Sequence, residues 1–213
     1  MASMYARTGS SPSAFAICGF PPERRRGFAG ERRGAGMTRR VAGAIAESER
    51  SAPTLVGMDP IQAAIASYES GPSKLRAACA GLSPELLNRR IGPGEWSIME
   101  NAVHLLDSDL ASTHRKRRIV AEDNPLLVSY DENAFIARLP SERMELAEVL
   151  DLFEANRRFT TRWLRTLPPE AFSRTGVHTQ RGKVTLQQIV EIYANHVDHH
   201  LRFVAEKRRN LPR

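Results

Sequence analysis

Four long stretches of helical periodicity occupy the chain from Met58 onward, and they limit what it can fold into. Apolar residues recur three and four positions apart, which is the pattern of a helix that buries one face. No convincing alternating pattern indicates a strand. The sequence therefore predicts an all-α fold, a four-helix bundle over residues 58–213. The apolar positions of the first and third helices are Ile61, Ile65, Tyr68, Leu75 and Cys79, then Leu146, Val149, Leu150, Phe153, Phe159, Trp163 and Leu164.

Capping residues mark where these helices begin. Asp59 precedes a first-turn proline, which is the order of an N-cap and the first helical position. Ser97 with Glu100, and Thr185 with Gln188, have the spacing of capping boxes. They predict the starts of the second and fourth helices.

Three segments depart from regular helix. Gly71 and Pro72 are expected to make an irregularity within the first helix. Residues 173–183 contain two glycines and indicate a turn or a small hairpin. The connection between the second and third helices is long enough to cross the bundle, so a simple up-down topology is not required.

The first 57 residues differ in composition from the rest. They hold 8 of the 14 glycines and the arginine run at 24–26, and no apolar periodicity lasts more than two turns. Such a segment cannot bury enough apolar surface to offset the entropy of ordering it. We predict a disordered Arg/Gly-rich tail. It could be an organellar transit peptide, an arm that contacts nucleic acid, or a nonfunctional extension ahead of a start at Met37 or Met58.

Most of the net charge of +7 belongs to this tail. Residues 1–57 carry 9 basic and 4 acidic side chains, which leaves 22 basic and 20 acidic ones for the bundle. The bundle therefore lacks the basic surface of a DNA-binding protein, and nucleic acid is not expected as its partner. A membrane partner is not expected either, because no window approaches the roughly 18 consecutive apolar residues of a membrane span. Two cysteines, Cys18 and Cys79, cannot form a disulfide framework, so we expect a reducing, cytoplasmic compartment.

The fourth helix carries three histidines within residues 195–200 (Asn-His-Val-Asp-His-His). On a helical wheel His196 and His200 fall inside the apolar arc, whereas His199 lies at its polar boundary. Two imidazoles at positions i and i+4 can reach one metal ion. They can also form a hydrogen-bonded pair in the core, and this pattern alone favours neither interpretation.

A metal bound by this pair needs a third ligand, and the candidates are His104, His114, His178 and buried carboxylates. Basic neighbours of His114 would repel a cation, which counts against it. Periodicity slightly favours a solvated face for His104, and the alternative is a polar seam that lines an internal cavity. The apolar arc of that helix comprises Ile98, Met99, Ala102, Val103, Leu106 and Leu110, and the polar residues beside His104 are Glu100, Asp107 and Ser108.

Three further residues are candidates for supporting roles. Asp107 and Asp198 could orient a metal-bound imidazole through a hydrogen bond. Both are also typical of solvated helix surfaces, and Asp198 points outward on the wheel. Tyr193, one turn before His196, could donate a hydrogen bond in the cavity or simply pack.

Three motifs in this order resemble the DinB / YfiT-like superfamily. They are Gly-Glu-Trp-Ser at 94–97, His-Leu-Leu-Asp at 104–107 and the histidine-rich stretch at 195–200. Thr-Gly-Val-His before the last helix is similar as well, and the resemblance covers about residues 58–208. It implies a DinB-like four-helix bundle with a long crossover connection and a metal site of three histidines. By resemblance these are His104, His196 and His200, which places His104 inward against the apolar count.

The resemblance also implies an activity. Family members hold a divalent ion, and the sequence does not distinguish Zn, Ni, Fe or Mn. Characterised members transfer groups to low-molecular-weight thiols such as bacillithiol, mycothiol or glutathione, and many are described only as metal-dependent hydrolases. We therefore expect a metal-dependent transferase or hydrolase that acts on a small electrophilic molecule. The resemblance also implies that the protein could form a homodimer. The alternatives are a non-enzymatic bundle that binds a metal, a ligand or a partner, and nucleic-acid binding through the tail.

The ferritin-like di-iron bundle is the main competing helical fold. It requires a Glu-x-x-His motif on each of two helices. Here Tyr193 and Val197 stand three residues before His196 and His200. The sequence therefore disfavours a di-iron site.

Overall fold

The structure is a computed structural model and describes residues 59–211. The predicted tail and the start at Met58 lie outside these residues. In the described part, four long helices form a bundle with two short helices, two 3-10 turns and a small sheet. The long helices are α1 (Pro60–Cys79), α3 (Ile98–Ala121), α5 (Leu146–Leu164) and α6 (Leu186–Asn210). The shorter elements are α2 (Pro84–Asn88), β1 (Leu126–Leu127), α4 (Glu132–Arg138), β2 (Thr175–His178), β3 (Gly182–Thr185) and the 3-10 turns Ser141–Arg143 and Pro169–Ser173.

The predicted helix starts are confirmed. The Asp59 side chain accepts a hydrogen bond from the backbone N–H of Ile61 at the start of α1. Full capping boxes open α3 at Ser97 and α6 at Thr185. Such caps satisfy N–H groups that have no partner within the helix, so short-range sequence is enough to fix these boundaries.

The order of packing shows that the bundle is not a simple up-down arrangement. α1 packs against α5 and α6, and α3 packs against the same two helices. α1 and α3 therefore lie across the bundle from each other, as do α5 and α6. The crossings are made by residues 80–97 and 165–185, whereas the long second connection joins neighbouring helices, α3 and α5.

The second connection and the hairpin form a small sheet. β2 and β3 pair antiparallel, with Thr175 opposite Thr185, and β1 adds to β2 in parallel. The hairpin was one of the two predictions for residues 173–183. β1 was not predicted, because a two-residue strand is too short to show alternation.

The core consists of two apolar clusters separated by a polar layer. One surrounds Phe153 and the first turns of α3, and the other surrounds Ile65 and the first turns of α6. Intervening turns bury charged residues, including Asp109 and Arg157. Two apolar positions assigned to buried faces, Leu110 and Phe159, are instead 41% and 56% exposed. No helix within residues 59–211 combines the length and apolar character needed to cross a bilayer.

Candidate metal centre

Three histidine side chains from two helices meet in the bundle interior. His104 comes from α3, and His196 and His200 come from successive turns of α6. The Nε2 atoms of His104 and His196 are 3.3 Å apart, and each of the three rings offers a nitrogen within 4.8 Å of the others. Two tetrahedral ligands at zinc–nitrogen distances are separated by about 3.3–3.4 Å. The His104–His196 separation matches this value, and the three residues, called the histidine cluster below, lie close enough together to hold one metal ion.

The structure contradicts the solvated face that the apolar count assigned to His104. The residue is 2% exposed, and every α3 residue from Ile98 to Leu106 is buried. α5 and α6 pack against α3, and so do α2, α4 and the 3-10 turn at Ser141–Arg143. The count assumed one solvated face, but this part of α3 is surrounded. The inward position that the resemblance implied is the one found.

A hydrogen-bond chain fixes which nitrogen of His200 faces the cluster. Asn101 Nδ2 donates to the Ser97 carbonyl at 2.7 Å, which sets the orientation of the amide. Asn101 Oδ1 can then only accept, so His200 Nδ1 donates to it at 3.0 Å. His200 Nε2 is left with its lone pair, is buried, and has no hydrogen-bond partner among the described residues. A buried nitrogen in this state fits a metal ligand, because a bound ion would satisfy it.

Polar groups from the second connection approach His104. Glu132 Oε2 lies 3.5 Å from His104 Nε2, and Tyr130 OH lies 3.5 Å from His104 Nδ1. Tyr130 also shares a hydrogen bond of 2.6 Å with Ser108. The Trp96 ring packs against two histidines of the cluster, with its centroid 4.9 Å from that of His104 and 6.3 Å from that of His200. Sequence reasoning missed Tyr130 and Glu132, since neither belongs to a periodic pattern or to a motif with known spacing.

Burial keeps the imidazoles of the cluster neutral. It lowers the pKa of His104 to about 4 and of His200 to about 2, and it lowers the pKa of His196 well below its ordinary value. For His196 and His200, neighbouring histidines lower the pKa further, because a second positive charge nearby is unfavourable. Neutral imidazole is the form that binds a metal. The cluster therefore needs to release no proton at neutral pH in order to bind one.

The other histidines lie outside the cluster. His114 is exposed. His178 is buried at the end of β2, where its Nδ1 accepts a hydrogen bond from the backbone N–H of Gln180. His199 is partly buried at the edge of α6, and its Nδ1 accepts a hydrogen bond from Arg202. The wheel thus placed His199 correctly relative to its two neighbours.

The two carboxylates considered for supporting roles have different surroundings. Asp198 is half exposed and forms an ion pair with Lys74 at 2.8 Å, so it lies on the solvated helix surface, as the wheel indicated. Asp107 is partly buried, which raises the pKa of its carboxyl group. Glu100 caps α3 through the Ser97 N–H and binds Arg90. Of the polar seam beside His104, only Ser108 reaches the histidine ring, with its Oγ 3.5 Å from Nε2.

Tyr193 packs beside the cluster. Its ring centroid lies 5.9 Å from that of His196. Its hydroxyl accepts a hydrogen bond of 2.6 Å from Arg115 Nη1. The packing role is therefore the one observed.

Comparisons with known proteins agree with this architecture. A protein of Oceanobacillus iheyensis whose name describes it as a metal-dependent hydrolase is 30% identical over 137 residues, covering 64% of this chain and 79% of that protein. YfiT from Bacillus subtilis, with a similar name, is 27% identical over 144 residues, covering 67% and 81%. The solved YfiT structure, described as an unusual four-helix bundle topology, is similar with a TM-score of 0.67 and 25% identity. It covers 76% of this chain and 92% of YfiT.

The family comparison covers the part of the chain that forms the bundle. The model of the DinB superfamily matches residues 67–204, which include all three members of the histidine cluster. This span reaches from the first long helix to the last. The chain belongs to the DinB superfamily.

Proposed function

We propose that the protein is a divalent-metal-dependent enzyme in which His104, His196 and His200 hold the ion. The observation that carries the proposal is His200 Nε2, a buried nitrogen with a lone pair and no hydrogen-bond partner in the described residues. Two relatives whose names describe them as metal-dependent hydrolases support it. A bound divalent ion would act as a Lewis acid and lower the pKa of a water or thiol, which supplies a nucleophile near neutral pH.

The ligand set favours catalysis over a purely structural role. Three protein ligands leave a position open, whereas structural zinc sites usually close it with a fourth protein ligand. Neutral imidazoles also leave the ion its full positive charge. Zinc, nickel, iron and manganese all accept imidazole nitrogen ligands, so the proposal is for a divalent ion of this group.

Residues beside the cluster have roles in this proposal. Asn101 holds the His200 ring in the tautomer that presents Nε2. Tyr130 and Ser108 flank His104 and can donate hydrogen bonds to an anionic group of a substrate. The Glu132 carboxylate, 3.5 Å from His104 Nε2, is placed to accept the proton that a nucleophile gives up.

The substrate is proposed to be a small electrophilic molecule, attacked by water or by a low-molecular-weight thiol. Transfer to a thiol and hydrolysis require the same residues and differ in the nucleophile. The thiol, the cytoplasmic location and the homodimer stay predictions from the sequence and its resemblance.

Metal analysis and a turnover assay test the proposal together. Protein purified without a metal-affinity tag should contain about one equivalent of a divalent metal, which elemental analysis measures. It should consume 1-chloro-2,4-dinitrobenzene, or hydrolyse p-nitrophenyl acetate, faster than the metal-depleted protein does. Glutathione, bacillithiol and mycothiol are compared as thiols, and the His200→Ala variant is the inactive control. Absence of bound metal, or equal rates for the wild type and His200→Ala, would show that the site is not catalytic.

A further inference from the structure

The proline inside α1 leaves one buried carbonyl without its helical hydrogen-bond donor, and a residue distant in sequence supplies the donor instead. Pro72 has no N–H, so the carbonyl of Tyr68, four residues earlier, loses its normal helical donor. Tyr68 is fully buried, and a buried carbonyl without a partner is costly. Arg157 of α5 supplies the donor, because its Nη1 lies 2.7 Å from the Tyr68 carbonyl oxygen.

Gly71 makes room for this arginine. A β-carbon at this position would lie 2.3 Å from Arg157 Nη1 and 3.2 Å from Val197 Cγ2. A larger side chain would therefore displace the guanidinium from the Tyr68 carbonyl. It would also press on α6 at Val197, the residue that follows His196. Gly71 and Pro72 together form a socket for Arg157, which we call the α1 socket.

The same guanidinium holds the other helices. Its Nη2 donates to the carbonyl of Tyr193 on α6 at 2.8 Å, one turn before His196. Its Nη2 also lies 3.2 Å from Oδ1 of Asp109, which follows His104 by five residues on α3. Arg157 and Asp109 are both 1% exposed or less in this pair. One buried side chain thus connects all four long helices, and it contacts α6 one turn before His196 and α3 about one and a half turns after His104.

We propose that Arg157 is a positioning residue for the histidine cluster and that the α1 socket holds its guanidinium in place. It fixes the turn of α6 that carries His196 relative to α1 and to the helix that carries His104. The proposal rests on the proposed function, because it assigns Arg157 the task of setting the separation of metal ligands. A lysine could not replace it, since a single ammonium group cannot contact two carbonyls and a carboxylate in this planar geometry.

The test separates positioning from simple stabilisation. The double variant Arg157→Met/Asp109→Asn removes both members of the buried ion pair, so neither is left facing the gap of the other. A triple variant adds Pro72→Ala, which returns an N–H donor to the Tyr68 carbonyl. The control is Arg165→Met/Glu69→Gln, which removes another arginine–carboxylate pair between α5 and α1, at the surface.

Three measurements on the full chain decide the outcome: Zn²⁺ affinity by competition with a chromophoric chelator, melting temperature, and hydrogen exchange of the Val197 amide in metal-free protein. The double variant should bind Zn²⁺ about 10–100-fold more weakly, as expected when support of a ligand is lost. Its melting temperature should also be lower, and the hydrogen exchange of its Val197 amide should be faster. The triple variant should regain melting temperature but not Zn²⁺ affinity. The surface control should keep wild-type affinity.

Wild-type affinity in the double variant, or recovery of affinity together with stability in the triple variant, would overturn the proposal. If the double variant does not fold, Arg157→Lys replaces it, with the same expected loss of Zn²⁺ affinity. Wild-type Zn²⁺ affinity in Arg157→Lys would also overturn the proposal. A wild type that binds no Zn²⁺ would refute the metal centre itself. The Val197 exchange rate would then still show whether Arg157 holds this turn of α6.

Discussion

Replacing Asn101 with leucine should weaken metal binding while the bundle stays folded. Asn101 is 2% exposed, and its Oδ1 accepts the Nδ1–H of His200 at 3.0 Å. Leucine has a similar size but no acceptor. The His200 ring is then free to turn or to place its proton on Nε2, where it blocks the metal. The start of α3 should survive, because the Ser97 carbonyl also accepts the backbone N–H of residue 101 at 3.1 Å.

Two terms set the magnitude. Losing a hydrogen-bond partner of a metal-bound imidazole costs about 10–100-fold in metal affinity, which corresponds to about 1.4–2.7 kcal/mol. A buried N–H left without an acceptor costs about 1–3 kcal/mol of folding free energy. The metal-free variant should therefore be somewhat less stable as well as weaker in binding.

A chelator competition titration measures the Zn²⁺ affinity, and urea unfolding of the metal-free protein measures the folding free energy. The matched control is Asn88→Leu, which removes an amide that donates to the Pro84 carbonyl within α2 and contacts neither the cluster nor Arg157. This control should lose stability but keep Zn²⁺ affinity. Equal Zn²⁺ affinities for Asn101→Leu and the wild type would refute the role of Asn101. Equal losses in the two variants would show that the effect is general destabilisation.

Four other outcomes are expected. His199→Ala should retain the metal and His200→Ala should lose most of it, as measured by elemental analysis; equal losses would contradict the helix geometry. Because burial lowers the pKa of His104 to about 4, Zn²⁺ affinity should stay level from about pH 8 to pH 5 and fall below that, whereas a fall centred near pH 6.5 would mean a solvated site. Lys116→Met should raise the free energy of unfolding at pH 7 by about 1–4 kcal/mol, and this gain should shrink toward pH 10. The reason is that burial lowers the folded pKa of Lys116 to about 7, so between pH 7 and pH 10 only the unfolded state holds the proton. A gain that does not change with pH in urea titrations would refute this. A chain that starts at Met58 should melt at the temperature of the full chain, since the tail lacks apolar surface to dock, and loss of cooperative melting would place the tail in the core.

The histidine pKa values also make metal-free stability depend on pH. The folded pKa of His104 and of His200 lies below the unfolded value near 6.5. Below that pH the unfolded state binds more protons, so stability falls as the pH drops from about 7 toward 4. Bound metal would oppose this loss, because it binds the neutral imidazoles of the folded state.

Local sequence was sufficient for the helices and their ends. The caps at Ser97 and Thr185 involve residues three positions apart, and the i, i+4 spacing of His196 and His200 follows from helix geometry alone. These features depend on neighbours within one turn, which is the range that periodicity measures. The pair of candidate ligands on α6 was therefore predictable before any fold was known.

The position of His104 depended on what covers its helix. Its environment includes residues from the second connection, with Tyr130 and Glu132 lying 26 and 28 positions away in sequence. The periodicity of α3 holds no information about residues that pack on it from elsewhere in the chain. The apolar count therefore predicted a half-solvated helix where the structure has a surrounded one. Family resemblance supplied the correct side without giving its cause.

Sequence by itself determined the number of long helices, the starts of α1, α3 and α6, and two candidate ligands on one face, because each is set by contacts within about one helical turn. Tertiary structure alone decided which His200 nitrogen faces the cluster and why α1 tolerates Pro72. The first rests on Asn101, 99 residues from His200, and the second on Arg157, 89 residues from the carbonyl it satisfies. Both contacts join groups that become neighbours only when the helices pack, and burial then makes each unpaired donor or acceptor too costly to leave unmet.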